Sequence, residues 1–63
     1  MKREALLRHL RRHGCVLLRE VAAHTLYINP QTGKLEAVPR HVKIPDKLAR
    51  KICRDLSVPE IGR

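Results

Sequence analysis

Residues 24–39 read HTLYINPQTGKLEAVP, and the fold is decided in this stretch. His24 to Ile28 alternates with a period of two: Leu26 and Ile28 share one face of an extended segment, Thr25 and Tyr27 the other. Asn29-Pro30-Gln31-Thr32-Gly33 then supplies turn chemistry in the order a hairpin needs. Pro30 has the fixed φ of the second position of a type I turn, and Gly33 accepts a positive φ near its end. Leu35 to Val38 returns as the partner strand. Pro39, with no N–H to give to a ladder, ends it.

Working outward, Cys15 to Glu20 is a short β-like run that stops at the small pair Ala22-Ala23, which predicts a turn into the hairpin. Before it, Arg3 to His13 has helical spacing. Leu6, Leu7 and Leu10 form one stripe with Ala5 at its border, Arg8, Arg11 and Arg12 fall outside, and Gly14 suits a left-handed stop. After the hairpin, Arg40 to Ile44 is a basic connector. Pro45 suits a first helical position and Asp46 the positive end of a helix dipole. Leu48, Ala49, Ile52, Cys53 and Leu56 then mark one helical face, and Lys47, Arg50, Lys51 and Arg54 the other. Ser57 to Glu60 reads as a stop and turn, with Val58 and Ile61 folding back on the core.

The expected fold is a single α+β domain spanning 1–63, in the order helix, three strands, helix, without repeats or linkers. Two amphipathic helices together can cover one face of a three-stranded antiparallel sheet, giving two layers. The other face stays open, and the expectation puts Thr25 and Tyr27 on it.

A chain of 63 residues buries only about 60% of its unfolded surface, so a stability of roughly 3–5 kcal/mol is expected. Tyr27 is the only aromatic residue, so the core must be aliphatic, and much of the usual stacking on single-stranded RNA is missing. Fourteen Lys and Arg against six acids give a net charge of +8, which concentrates polyanions around the body. A membrane-surface reading needs a strong apolar helix face free for lipid, and both helices here are committed to a core. No signal peptide, long apolar run or lipidation motif is present, so the expected compartment is the cytoplasm. Cys15 and Cys53 read as small buried hydrophobes in a reducing compartment, and neither has companions at metal-ligand spacing.

His24 is the residue to weigh for chemistry. RNA is cut without metal when a base takes the 2′-hydroxyl proton and that oxygen attacks the adjacent phosphate. Histidine suits this because its unperturbed pKa lies near working pH, and nearby cations stabilise the charge that builds on phosphorus. Two small residues precede His24, leaving it little shielded. Strand parity also puts it with Leu26 and Ile28, where an ordinary histidine at the core edge would sit. His41 is either a second acid/base group or phosphate donor, or a cap or surface residue. His9 and His13 lie one turn apart but lack a third ligand, so a solvated face accounts for them better than a metal site. The cationic face of the second helix has four positive residues with no acid among them, more than solubility requires, and reads as phosphate-contacting. Arg8, Arg11 and Arg12 on the first helix receive the same reading.

Several of these elements together resemble the HicA-type (YcfA-like) toxin family. They are the Met1-Lys2-Arg3 helix ending at Gly14, the short strand, His24 before an apolar strand, the Asn29-Pro30…Gly33 hairpin, Val38-Pro39-Arg40-His41, and the closing helix Leu48 to Leu56. The resemblance covers nearly the whole chain in order, and Val-Pro-Arg-His with the histidine before the hairpin is its most specific part. It implies a double-stranded-RNA-binding-domain-like fold and a ribosome-independent, metal-free mRNA endonuclease that needs no cofactor. It also implies a HicB-type antitoxin encoded beside it. The family's catalytic histidine maps onto His24, with Arg40, His41, Lys43, Lys47, Arg50, Lys51 and Arg54 as RNA-binding candidates. The chain departs from the family pattern at three places. Ala22-Ala23 stand where the family has Gly-Ser, Thr25 where a second histidine is frequent, and Asp46 where a Gly-Thr pair often opens the helix. Loss of Gly restricts backbone approach to a phosphate, and loss of Ser removes a positioning hydroxyl. The leading expectation is an RNA-cleaving toxin, the alternative a non-catalytic or weakened RNA-binding module of the same fold. Weak self-association is left open.

Overall fold

A computed structural model describes residues 1–61. Its elements are α1 (Arg3–Arg12), β1 (Val16–Val21), β2 (His24–Asn29), β3 (Lys34–Pro39) and α2 (Asp46–Asp55), with the strands in the antiparallel order β1-β2-β3. This is the expected α+β order, α-β-β-β-α, with a three-stranded antiparallel sheet. Leu6, Leu7 and Leu10 of α1, Ala49, Ile52 and Cys53 of α2, and Tyr27 and Val38 of the sheet join one core, so both helices cover one sheet face. Val58 and Ile61 fold back onto it.

The local rules that end each element are visible in hydrogen bonds. Gly14 takes φ +92°, Cys15 N–H donates to the Leu10 carbonyl (2.9 Å) and Gly14 N–H to that of Arg11 (3.0 Å). That is the Schellman arrangement. The second helix closes in the same way, with Ser57 at φ +60° where glycine is usual. Val58 N–H donates to the Cys53 carbonyl (3.0 Å) and Ser57 N–H to that of Arg54 (3.0 Å). In the hairpin, Thr32 and Gly33 N–H groups both donate to the Asn29 carbonyl (3.2 and 2.7 Å), and Gly33 has φ +75°. Pro45 sits one residue before the helix, as its N-cap, and leaves Asp46 as the first helical residue.

Three expectations are corrected. The face of β2 under the helices is the one with Thr25 (1% exposed) and Tyr27 (2%), together with Asn29. The open face carries His24, Leu26 and Ile28. Each polar atom on the covered face finds a partner, which is why it is tolerated there. The Thr25 hydroxyl donates to Glu20 Oε1 (2.7 Å) and accepts from Arg3 Nη2 (2.9 Å). Arg11 Nη1 donates to the Tyr27 oxygen (3.5 Å), and Asn29 Nδ2 donates to the Leu56 carbonyl (2.7 Å). The second correction concerns His24 itself: it is exposed, so a core-edge histidine is not what its parity meant. The third is a boundary: Pro39 ends β3 as expected, but as its last paired residue, opposite His24, and its carbonyl accepts Arg3 Nε–H (2.9 Å).

Candidate nucleic-acid interface

The β1–β2 turn is two residues long, since Val21 pairs with His24 across it. Ala22 has φ +23° and Ala23 does not, the sign pattern of a type II′ turn, whose first position is normally glycine. The strain at Ala22 is held by side chains from elsewhere. Arg40, just past β3, donates through Nη2 to the carbonyls of both Val21 and His24 (3.1 Å each), bridging the two ends of the turn. Its Nε–H goes to Glu20 Oε1 (3.1 Å), and Nη2 lies 2.9 Å from the same oxygen. Glu20 also accepts from Thr25, and Thr25 from Arg3, so α1, both ends of the turn and the start of the β3–α2 connector form one polar chain. The Thr25 hydroxyl first, and then Arg40, hold the Glu20 carboxyl below the usual glutamate range.

His24 stands at this braced corner, on the open face beside Val21 and Pro39, with a guanidinium anchored to its own carbonyl. Alternation along β1 puts Arg19, the partner of Leu26, on the same face. An exposed imidazole here can take up or release a proton toward a ligand arriving from solvent. His41 and Lys43 are exposed, and neither side chain makes a hydrogen bond or ion pair among the described residues.

The α2 candidates belong to the other layer. Lys47, Lys51 and Arg54, with Pro45 and Leu48, line a groove of about 400 Å³. The sheet lies between this groove and the His24 side chain. The absence of acids among the α2 cations in sequence does not carry over into space. Lys51 Nζ is 2.8 Å from Asp55 and 3.7 Å from Glu36, and Arg54 is 3.3 Å from Glu60. Lys47 and Arg50 keep their charges unpaired among the described residues. Burial, then a hydrogen bond shared with Asp55, pushes the Glu36 carboxyl up. The same bond and Lys51 hold Asp55 below the usual aspartate range, and Asp55 in turn raises Lys51.

Sequence reasoning missed Lys2 and Arg3 as site residues. Residues 1–3 run antiparallel to 42–44: Arg3 N–H donates to the Val42 carbonyl (2.8 Å), Ile44 N–H to that of Met1 (2.8 Å), and Lys2 bridges Lys43. This long-range pairing leaves no trace in local spacing. It brings Lys2 and Arg3 against Arg40 and Val42 around a second cleft, of about 390 Å³.

Of the two histidines at the end of α1, His9 within the helix and His13 at its C-cap, His9 has a structural bond. His9 Nε2–H donates to the Pro59 carbonyl (2.6 Å), with the His13 ring 4.6 Å away. No cluster of three metal-ligating side chains forms among the described residues. Cys15 and Cys53 are both buried. Burial raises both thiols, and Cys53 raises Cys15 further. Among the described residues, no helix is long and apolar enough to cross a membrane. No family model, curated protein or solved structure matches this chain.

Proposed function

We propose that the chain is a metal-independent endoribonuclease of the HicA toxin type, acting on mRNA in the cytoplasm. The observation that carries this reading is the exposed His24 imidazole at a corner where Arg40 is already fixed, on a body of net charge +8. His24 takes the proton from a ribose 2′-hydroxyl. The freed oxygen bonds to the adjacent phosphorus, the P–O5′ bond breaks, and the imidazolium returns the proton to the departing O5′. The products are a 2′,3′-cyclic phosphate and a 5′-hydroxyl. Arg40 uses Nε and Nη2 internally and keeps Nη1 for the charge that develops on phosphorus. Lys43, His41 and the unpaired Lys47 and Arg50 supply sequence-independent attraction for the strand.

A long RNA incubated with the protein in EDTA tests the catalytic claim. Cutting is expected, with a fall of about 10²-fold or more in His24→Ala. Equal cutting by both proteins, or none by either, overturns the claim. Partnership with a HicB-type antitoxin is tested by growth arrest on expression that co-expression of the neighbouring gene relieves.

A second reading, a non-catalytic RNA-binding module of the same fold, is favoured by two observations. Ala22 occupies a glycine position, and the Arg40 charge is already shared with Glu20 at 2.9 Å. It predicts RNA affinity unchanged by His24→Ala but weakened by reversing Lys47 and Arg50.

A further inference from the structure

The cleft lined by Lys2, Arg3, Glu4, Arg40 and Val42 joins three cations from the first residues of the chain and from the β3–α2 connector, and its geometry is that of an anion site. Arg3 and Arg40 are held in the same manner. Each has Nε and Nη2 tied to the protein and Nη1 unbonded. Arg3 spends its bonds on neutral acceptors, the Pro39 carbonyl and the Thr25 hydroxyl, and no carboxylate lies in ion-pair range of it among the described residues. Its positive charge is felt by Glu20 only across the Thr25 hydroxyl, and it is half-buried and fixed in place. Lys2, exposed and without a side-chain bond among the described residues, adds a cation at the rim, and the first turn of α1 adds the positive end of its dipole. Glu4 is the one acid in the lining and opposes an incoming anion.

From this geometry we infer that the cleft binds a phosphate group through Nη1 of Arg3 and Arg40 and the ammonium of Lys2. Preorganised guanidiniums lose little freedom on binding, and planar N–H donors match phosphate oxygens. Resting on the reading above, the occupant is an RNA phosphodiester next to the one cut. Arg40 belongs to both places: it lines the cleft and holds the His24 carbonyl at 3.1 Å, and its Nη1 carries two N–H groups, one for each of the two neighbouring phosphates. The α2 groove is the weaker anchor, because two of its three cations are already paired with acids.

Two titrations of the intact chain test this separately. In the first, inorganic phosphate is added to nitrogen-15-labelled protein and followed by NMR. Saturable shifts are expected at the Arg3 and Arg40 Nε–H signals, diminished in Lys2→Gln, whose side chain makes no hydrogen bond that folding needs. Shifts confined to α2, or none that saturate, overturn the site. In the second, a labelled single-stranded RNA is bound across a salt series. Lys2→Gln should flatten the slope of log affinity against log salt by about 0.7, the loss of one phosphate contact, and Glu4→Gln should tighten binding. A wild-type chain that binds RNA with the same slope as Lys2→Gln overturns the RNA phosphodiester as occupant. A wild-type chain that binds no RNA but keeps the saturable phosphate shifts sinks the nuclease proposal and leaves a free phosphate as the ligand.

Discussion

On the face of the sheet that the helices cover, β2 contributes Thr25, Tyr27 and Asn29; on the open face it contributes His24, Leu26 and Ile28. Simple hydrophobic ranking would assign them the other way round. Cross-strand pairing extends the open face with Val16 (49% exposed) and Leu35 (50%), both opposite Ile28. Long-range partners decide the difference. Arg3, Glu20, Arg11 and Leu56 satisfy the polar atoms of the covered side, and among the described residues no buried side-chain nitrogen or oxygen lacks a partner. A polar residue can be inside when its hydrogen bonds are met, and an aliphatic one outside costs little in a small domain.

The sharpest way to break this comparison is to truncate matching positions on the two faces. Tyr27→Ala should cost about 3–5 kcal/mol, as large aromatic truncations do. That is comparable to the whole stability expected of a domain this size, so the variant should be largely unfolded in circular dichroism. Leu35→Ala on the open face should stay within about 1 kcal/mol by urea titration. Equal losses would mean that both faces are covered. Next in size is Asn29→Ala, which leaves the Leu56 carbonyl without its buried donor and frees the α2 end from the hairpin. A loss of about 1–3 kcal/mol is expected in the same titration.

Smaller effects sharpen the account of the braced turn. Ala22→Gly and Ser57→Gly each relieve a side chain at positive φ and should raise stability by about 1 kcal/mol, read as an upward shift in melting temperature. The smallest effect is on acid. The Glu20 carboxyl is depressed in the folded chain, so its contribution is fully present above the ordinary glutamate range, near about 4.3, and fades as pH falls through the lower folded value. Hydrogen exchange at Ala23 and His24 should accelerate, relative to the core amides, only on the acid side of that window. Glu20→Gln should remove the acid step.

These contrasts also separate what is legible in the sequence from what only the folded chain shows. The hairpin was legible because Pro30 and Gly33 act locally on φ, and the helices because leucine and alanine spacing reports a face. Alternation correctly separated Thr25 and Tyr27 from Leu26 and Ile28. It could not say which set lies inside, because that depends on Arg3 and Leu56, more than twenty residues away in either direction. The Lys51–Asp55 pair lies at i,i+4 and was readable from spacing; the Glu36 and Glu60 contacts were not. His24 was picked out as a chemical candidate, but its exposure follows from the inverted face. Lys2 and Arg3 reach their cleft only through pairing with residues 42–44.

In the proposed function the exposed His24 imidazole, at a corner fixed by Arg40, is the group that moves the proton. End-group analysis of a long RNA treated in EDTA with wild-type and His24→Ala proteins of equal melting temperature tests it most directly. New 2′,3′-cyclic phosphate ends are expected with the wild type and almost none with the variant. The same ends in both, or in neither, would contradict it.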